Sequence, residues 1–223
     1  MPRFSFQRAR EPAQKEQRRQ ELVHAAAELL SRGGLDAVTL SAIARAAGLA
    51  KSNVYRYFES REEILLEILL VDQRAWIVEL EHALAPLAGS GDADAVAAGL
   101  ARTISARPIT CELLASMAGV LERNLAAATV LAFKERLVEL TIRIRNAVHA
   151  ALPALPLDQS PMLLRCMHAL VAGLWPMAHP PPGVGEAIAA THDPGLAALC
   201  AAFEPDLRDG CAALLRGLLP ARR

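Results

Sequence analysis

Aromatic residues are scarce in this chain, 4% in all, and long stretches carry no alternation of Val, Ile or Thr with polar residues. Without that period-two pattern nothing forms the half-buried face of a β-sheet. Membrane-length apolar runs are missing too. The richest, Met162–Ala178, is broken by Arg165, His168 and Pro176 and falls short of the roughly 20 residues a span requires. The basic N-terminus, MPRFSFQRAREPAQKEQRR, has no apolar segment behind its charges, so it does not read as a secretory leader, and a cytoplasmic location is expected. Cys111, Cys166, Cys200 and Cys211 include no C-x-x-C pair and sit mostly in apolar helical text, which predicts reduced, buried thiols. No glycine-rich phosphate loop, G-x-S-x-G elbow or Cys/His cluster occurs. His82, His149, His168, His179 and His192 lack the i,i+4 spacing of helical metal ligands. Neither an enzyme, a cofactor nor a metal centre is expected.

What remains is Ala- and Leu-rich text. With 53% of its 223 residues hydrophobic, the chain can bury a substantial core, and its composition predicts an all-α protein. Formal net charge is zero, but it is unevenly spread. Residues 1–61 carry eleven Lys/Arg against six Asp/Glu, a balance of +5, and the remainder carries −5. A basic head of this kind suits a polyanion.

Read along the chain, residues 1–13 form a polar arm with Arg3, Arg8 and Arg10, expected to be mobile. From about Gln14, Leu22, Val23, Ala26, Leu29 and Leu30 make an apolar stripe that Gly33-Gly34 stops. Thr39 caps a second helix with Leu40, Ile43 and Ala44 on its inner side, Gly48 breaks it, and a third runs from about Ala50 to Phe58. Ser60-Arg-Glu-Glu63 reads as a capping box opening a long helix to about Leu84, with Ile64, Leu65, Ile68, Leu69, Trp76 and Leu80 as its ridge. Further helices are expected over about Asp94–Ala106, Pro108–Leu121 and Ala127–Leu152, the last with an i,i+4 pair of Glu139 and Arg143. Pro161–Trp175 is apolar nearly all round and needs cover on more than one side. His179–Gly185 reads as a linker. Leu196, Leu199, Cys200 and Phe203, then Leu207, Cys211, Leu214 and Leu218, read as a terminal ridge interrupted at Glu204-Pro205.

Helix, glycine turn and short polar helix together make the unit that lays one helix in a DNA major groove. Leu49, Val54 and Phe58 would anchor the second helix from beneath, leaving Lys51, Ser52, Asn53, Tyr55 and Arg56 facing out. In order along the chain stand ELVHAAAELL (21–30), GLDAVTL (34–40), Ile43-Ala44, Ala47-Gly48-Leu49, Tyr55-Arg-Tyr-Phe58 and Ser60-Arg-Glu-Glu-Ile64. This text closely resembles the N-terminal domain of the tetracycline-repressor (TetR) family over about residues 16–76. GLWPMAHPPP and FEPDL resemble stretches in one branch of it.

The resemblance implies an N-terminal three-helix DNA-binding domain over residues 14–61 and a larger helical effector-binding and dimerisation domain over residues 62–223. It implies DNA-contacting roles, within the span Thr39–Phe58 and just beyond it, for Thr39, Ser41, Lys51, Ser52, Asn53, Tyr55, Tyr57 and Arg61. Tyr57 stands where histidine is commoner and Arg61 where lysine is, each keeping the capacity to bind phosphate. The family pairs its last two long helices into a four-helix bundle. That implies a homodimer joined through Met162, Leu163, Cys166, Leu170, Leu174, Leu207, Cys211, Leu214 and Leu218, reading a palindromic operator in double-stranded DNA. The body's Leu, Ala, Val and Met walls favour an apolar or amphipathic small-molecule effector, and the family's habit favours repression. The competing reading, a helical protein-binding adaptor, leaves the head motif as coincidence.

Overall fold

The computed structural model describes residues 5–122 and 125–220 and, with few exceptions, side chains from residue 13 onward. Among the described residues the chain is helical throughout, with no strand. It divides into two compact units. One comprises residues 1–71 and 119–133, the other residues 72–118 and 134–223, and the division falls inside a helix.

In the first unit, α1 (Ser5–Ala37) buries Leu22, Ala26 and Leu30, one turn or two apart. It begins at Ser5, so much of the expected arm is helical. Gln7, Arg8, Ala9 and Arg10 before Pro12, and Ala13, Gln14 and Lys15 after it, are good helix formers. The side chains of Arg3, Arg8 and Arg10 lie outside the described residues. Gly33-Gly34 kinks α1 as expected. Gly34 has φ 64° and ψ −168°, a conformation open essentially to glycine alone, and a Cβ on Gly33 would stand 2.8 Å from that of Ala37.

α2 (Leu40–Ala46) is capped by Thr39, whose Oγ1 accepts from the Ala42 amide at 3.1 Å. It ends at Gly48, φ +66°, with the Leu49 amide reaching back to the Ala44 carbonyl at 2.8 Å. α3 (Lys51–Val54) is shorter than expected. Beyond it the chain turns through Tyr55–Tyr57, with the Phe58 amide still bonded to the Val54 carbonyl. α4 (Arg61–Leu84) follows the capping box, with one difference. Ser60 Oγ accepts from the Glu63 amide, while Glu63 reaches the amide of Glu59 rather than that of Ser60. Beyond the predicted ridge, Leu66, Leu70 and Ile77 are also buried, so α4 is covered on most sides.

The second unit contains the rest of α4, then α5 (Ala93–Ser105) and α6 (Pro108–Ser116), the latter continuing as a π-helical turn from Met117. α7 (Ala127–Ala151), α8 (Ser160–Ala178), α9 (Pro182–Thr191), α10 (Pro194–Ala197) and α11 (Phe203–Leu218) complete the chain. α11 packs against both α5 and α8, and α6 lies against α8. Gly99 lets α5 approach α4, since a Cβ there would stand 2.9 Å from Leu84. The buried Trp76 donates its indole N–H to Thr103 Oγ1 at 3.0 Å. In the turn before α5, the Gly89 and Gly91 amides bond the Ala150 and Ala151 carbonyls at the end of α7, satisfying groups a helix terminus leaves open.

Several expectations give way here. Arg143 pairs with Glu81 of α4, at 2.9 and 2.6 Å, instead of Glu139 on its own helix; a two-pronged contact outweighs a single-turn one. Gly183–Gly185 of the expected linker lie within α9, because proline at the first helical position starts a helix. Pro205 does not interrupt the terminal ridge. It occupies the first turn of α11, where its missing N–H has no intrahelical partner to lose. Leu196 and Leu199 do not extend that ridge; they belong to α10 and the turn after it and are exposed. Cys111 and Cys211 are buried, with burial pushing both thiols up to about 12, but Cys166 is half-buried and Cys200 exposed.

Candidate nucleic-acid interface

Val54 and Phe58 are buried beneath α3 and the turn that follows it, at 0% and 1% exposure. That anchoring forces the intervening side chains outward. Lys51, Ser52 and Asn53 are all exposed, as are Tyr55, at 52%, and Arg56. Thr39 and Ser41 are exposed at the start of α2. Among the described residues Arg45, Lys51 and Arg56 make no ion pair. The first unit thus presents polar, cationic side chains on a short helix whose own backbone is fixed from below.

Two expected members sit differently. Tyr57 is half-buried, and its carbonyl is engaged. Arg61 is half-buried as well: its Nε donates to Glu62 at 2.9 Å and one terminal nitrogen to the Val38 carbonyl at 3.3 Å. It therefore ties the α1–α2 connection to the start of α4 and keeps one terminal N–H₂ free of those bonds.

Arg19 was not singled out in the sequence. It donates to the Tyr57 carbonyl at 2.7 Å and to Glu67 at 3.3 Å, lies 3.5 Å from Glu63, and places its guanidinium 4.2 Å from the centre of the Phe58 ring. One side chain of α1 thereby fixes the end of the recognition segment against α4. Beside it, Gln14, Lys15, Gln17, Arg18, Arg56 and Tyr57 border a polar groove of about 800 Å³.

In the second unit, Met162, Cys166, Leu170, Leu214 and Leu218 line an apolar groove of about 680 Å³ between α8 and α11, floored by the small residues Ala169, Gly210 and Gly217. Leu174 is half-buried outside this lining. Leu163, Leu207 and Cys211, grouped with the interface in the sequence, are instead core residues of 2%, 0% and 0% exposure. On α8 the two sets lie on neighbouring faces about 100° apart, with residues 163, 167 and 171 turned inward and 162, 166 and 170 on the exposed to half-buried flank. Gly210 permits the close helix approach, since a Cβ there would stand 3.0 Å from Leu170.

Among the described residues no His, Cys, Asp and Glu side chains gather as a metal site, and no helix is long and apolar enough to cross a membrane.

Residues 22–68 match the family described as bacterial regulatory proteins, tetR family, and residues 70–222 match the tetracyclin repressor-like C-terminal domain. The HTH-type transcriptional repressor KstR2 of Mycolicibacterium smegmatis is 38% identical over 58 residues, which span 26% of this chain and 28% of KstR2. Among solved structures, FadR of Thermus thermophilus, in complex with lauroyl-CoA, superposes with a TM-score of 0.58 at 18% identity over 92% of this chain and 97% of that one. The fatty acid degradation regulator FadR of Bacillus halodurans gives a TM-score of 0.54 at 14% identity over 90% and 99%. The helix-turn-helix head, the helical body and a C-terminal match that covers more than half the chain agree: this protein belongs to the TetR family of bacterial transcriptional regulators.

Proposed function

We propose that this chain is a sequence-specific repressor that binds a palindromic operator as a homodimer and leaves it when an apolar or amphipathic ligand occupies the body. The observation that carries this reading is the exposed polar face of α3 and the turn after it, with Lys51, Ser52, Asn53, Tyr55 and Arg56, held over the buried Val54 and Phe58. Lys51, Ser52 and Asn53 offer donors and acceptors to base edges, with Asn53 suited to adenine and Lys51 to guanine or phosphate. Thr39, Ser41, Tyr55, Tyr57 and the free edge of Arg61 serve phosphates, which supply register and most of the affinity.

A single head reads too few bases to be selective, so two copies are required. The apolar groove between α8 and α11 supports their pairing there. A ligand that binds one separation of the heads better than another shifts DNA affinity by linkage. The lauroyl-CoA held by the Thermus FadR makes long-chain acyl-CoA a sensible first probe.

Gel retardation of the DNA upstream of the protein's own gene tests the reading. The account expects a shifted palindromic fragment, affinity falling about a thousandfold from 50 to 200 mM salt, and release by the effector. Binding that ignores sequence contradicts it, and no retardation at any salt concentration contradicts it and favours the adaptor.

A further inference from the structure

Two arginines of the second unit face one hollow with nothing to neutralise them. Arg145 of α7 and Arg165 of α8 both line a space of about 280 Å³, bordered also by Leu157 of the short turn Leu157–Gln159. Among the described residues neither guanidinium meets a carboxylate. Arg145 donates only to the side-chain oxygen of the adjacent Asn146, at 3.2 and 3.1 Å, and Arg165 makes no hydrogen bond. Elsewhere in this unit the arginines that bridge helices are paired, Arg107 with Asp72, Arg143 with Glu81 and Arg216 with Asp94. No described acid lines the hollow, and Asp158, the one acid of the turn, stays outside its lining. Two like charges turned to one small space repel unless an anion lies between them.

The same hollow receives the start of α8. The residue before that helix, Gln159, makes no side-chain cap bond, so the positive end of a helix of 19 residues has no side-chain acceptor. Ser160, its first residue, lines the hollow at 4% exposure, and among the described residues its hydroxyl has no partner. A buried hydroxyl is costly until it is hydrogen-bonded. Thr141, on the α7 side, differs in donating to the Val138 carbonyl at 2.7 Å. The remaining wall is apolar, with Leu164 half-buried and Ile142 and Leu157 exposed at 41% and 50%.

We infer that this hollow between α7 and α8 binds a small organic carboxylate. Arg145 and Arg165 hold the carboxylate from the two helices, Ser160 donates to it, and the apolar body of the ligand covers Ile142, Leu157 and Leu164. The lining selects this class. Inorganic phosphate satisfies the cations and the hydroxyl but leaves the apolar wall in water, and a neutral lipid does the reverse. At about 280 Å³ the space falls just below the ~300–1,000 Å³ of pockets that hold drug-sized ligands, so a nucleotide is too large. It shares no lining residue with the groove between α8 and α11, so the site is independent of the proposed pairing.

Equilibrium dialysis of the full chain against radiolabelled octanoate, without DNA, is the test. Octan-1-ol and inorganic phosphate serve as competitors that carry the chain alone and the charge alone. The expected result is one octanoate site per chain, displaced at least about 10-fold less well by either competitor than by unlabelled octanoate. Arg145→Ala, Arg165→Ala and Ser160→Ala are each expected to weaken it about 10-fold, as loss of a hydrogen bond to a charged group implies. Arg165 is exposed, so Arg165→Ala keeps the parent's circular dichroism and carries the test even where Ser160→Ala disturbs the fold. Octanoate held equally by the parent and by R145A/R165A overturns the assignment, as does a parent that binds none at millimolar concentration. Octan-1-ol or phosphate competing as well as octanoate overturns the ligand class. Operator retardation is read separately, so failure of this site leaves the repressor reading standing.

Discussion

In the first unit the cations beside α3 divide into those bound and those left over, whereas the second unit leaves, besides single exposed cations such as Arg74, Arg102 and Arg165, an apolar groove. Around α3, Arg19 is held by carboxylates and a backbone carbonyl and Arg61 partly so, while among the described residues Arg45, Lys51 and Arg56 make no ion pair. In the body, the cations that bridge helices are all matched. Arg107 joins Asp72 and Glu79, Arg143 joins Glu81, and Arg216 joins Asp94. Desolvation works to lower the Arg107 pKa, but the hydrogen bonds it donates to the Glu79 and Asp72 carboxylates leave it raised. Among the large apolar side chains the body leaves exposed are Met162, Val184, Leu196 and Leu199, with Val78, Val138, Ile142, Leu157 and Met177 scattered elsewhere. The cations beside α3 suit a polyanion and the groove between α8 and α11 suits another apolar surface, which is what the proposed operator binding and pairing require.

The comparison breaks most decisively at α3. Replacing Lys51 and Tyr55 together by alanine is expected to abolish DNA retardation while leaving the melting temperature within a degree or two of the parent, because both side chains are exposed. Full retardation by the double variant removes the head from the account. Next in size is Leu214→Asp, which places a charge in the apolar groove. It is expected to convert the proposed dimer to a folded monomer and to weaken binding to the proposed operator about 100-fold or more, since one head must then do the work of two. Light scattering and a DNA titration read the two consequences separately.

Arg19→Ala sharpens the comparison from inside the head. It removes the bond to Tyr57 and the ion pairs to Glu63 and Glu67, and a destabilisation of about 1–3 kcal/mol is expected by thermal melting. DNA affinity falls with it while the slope of affinity against salt stays the same, since Arg19 positions the recognition segment and does not meet phosphate. Arg19→Lys restores little, because the planar group over Phe58 is lost.

These variants also show what could be read in one dimension. Thr39, Gly48, Ser60 and the Gly33-Gly34 stop act within four residues of themselves, and their signals survive in the sequence. Arg19 acts on residues 38 and 48 positions away, and Arg143 on one 62 away, where no local pattern points. The division of α8 was hidden for another reason. A helix apolar all round carries no periodicity to say which side is inward, so Leu163 could not be told from Met162. α9 was masked by its glycines and prolines, which read as a linker until the position of each in the first turn is seen.

The smallest expected effect lies in the body. The hydrogen bond from Arg143 holds the Glu81 carboxyl below its usual range. A carboxylate with a lowered pKa contributes above about pH 4.3 and loses that contribution as pH falls through the lowered value. Both side chains are well exposed, 40% and 38%, so a double-mutant cycle at pH 7 is expected to give only a few tenths of a kcal/mol, vanishing at acid pH and in high salt.

Hydroxyl-radical footprinting of the upstream DNA tests the central claim most directly. The account predicts two protected patches on one face of the duplex, centred about 10 base pairs or a multiple apart and absent with the Lys51/Tyr55 double-alanine variant. A single patch, or two that persist with that variant, would contradict it.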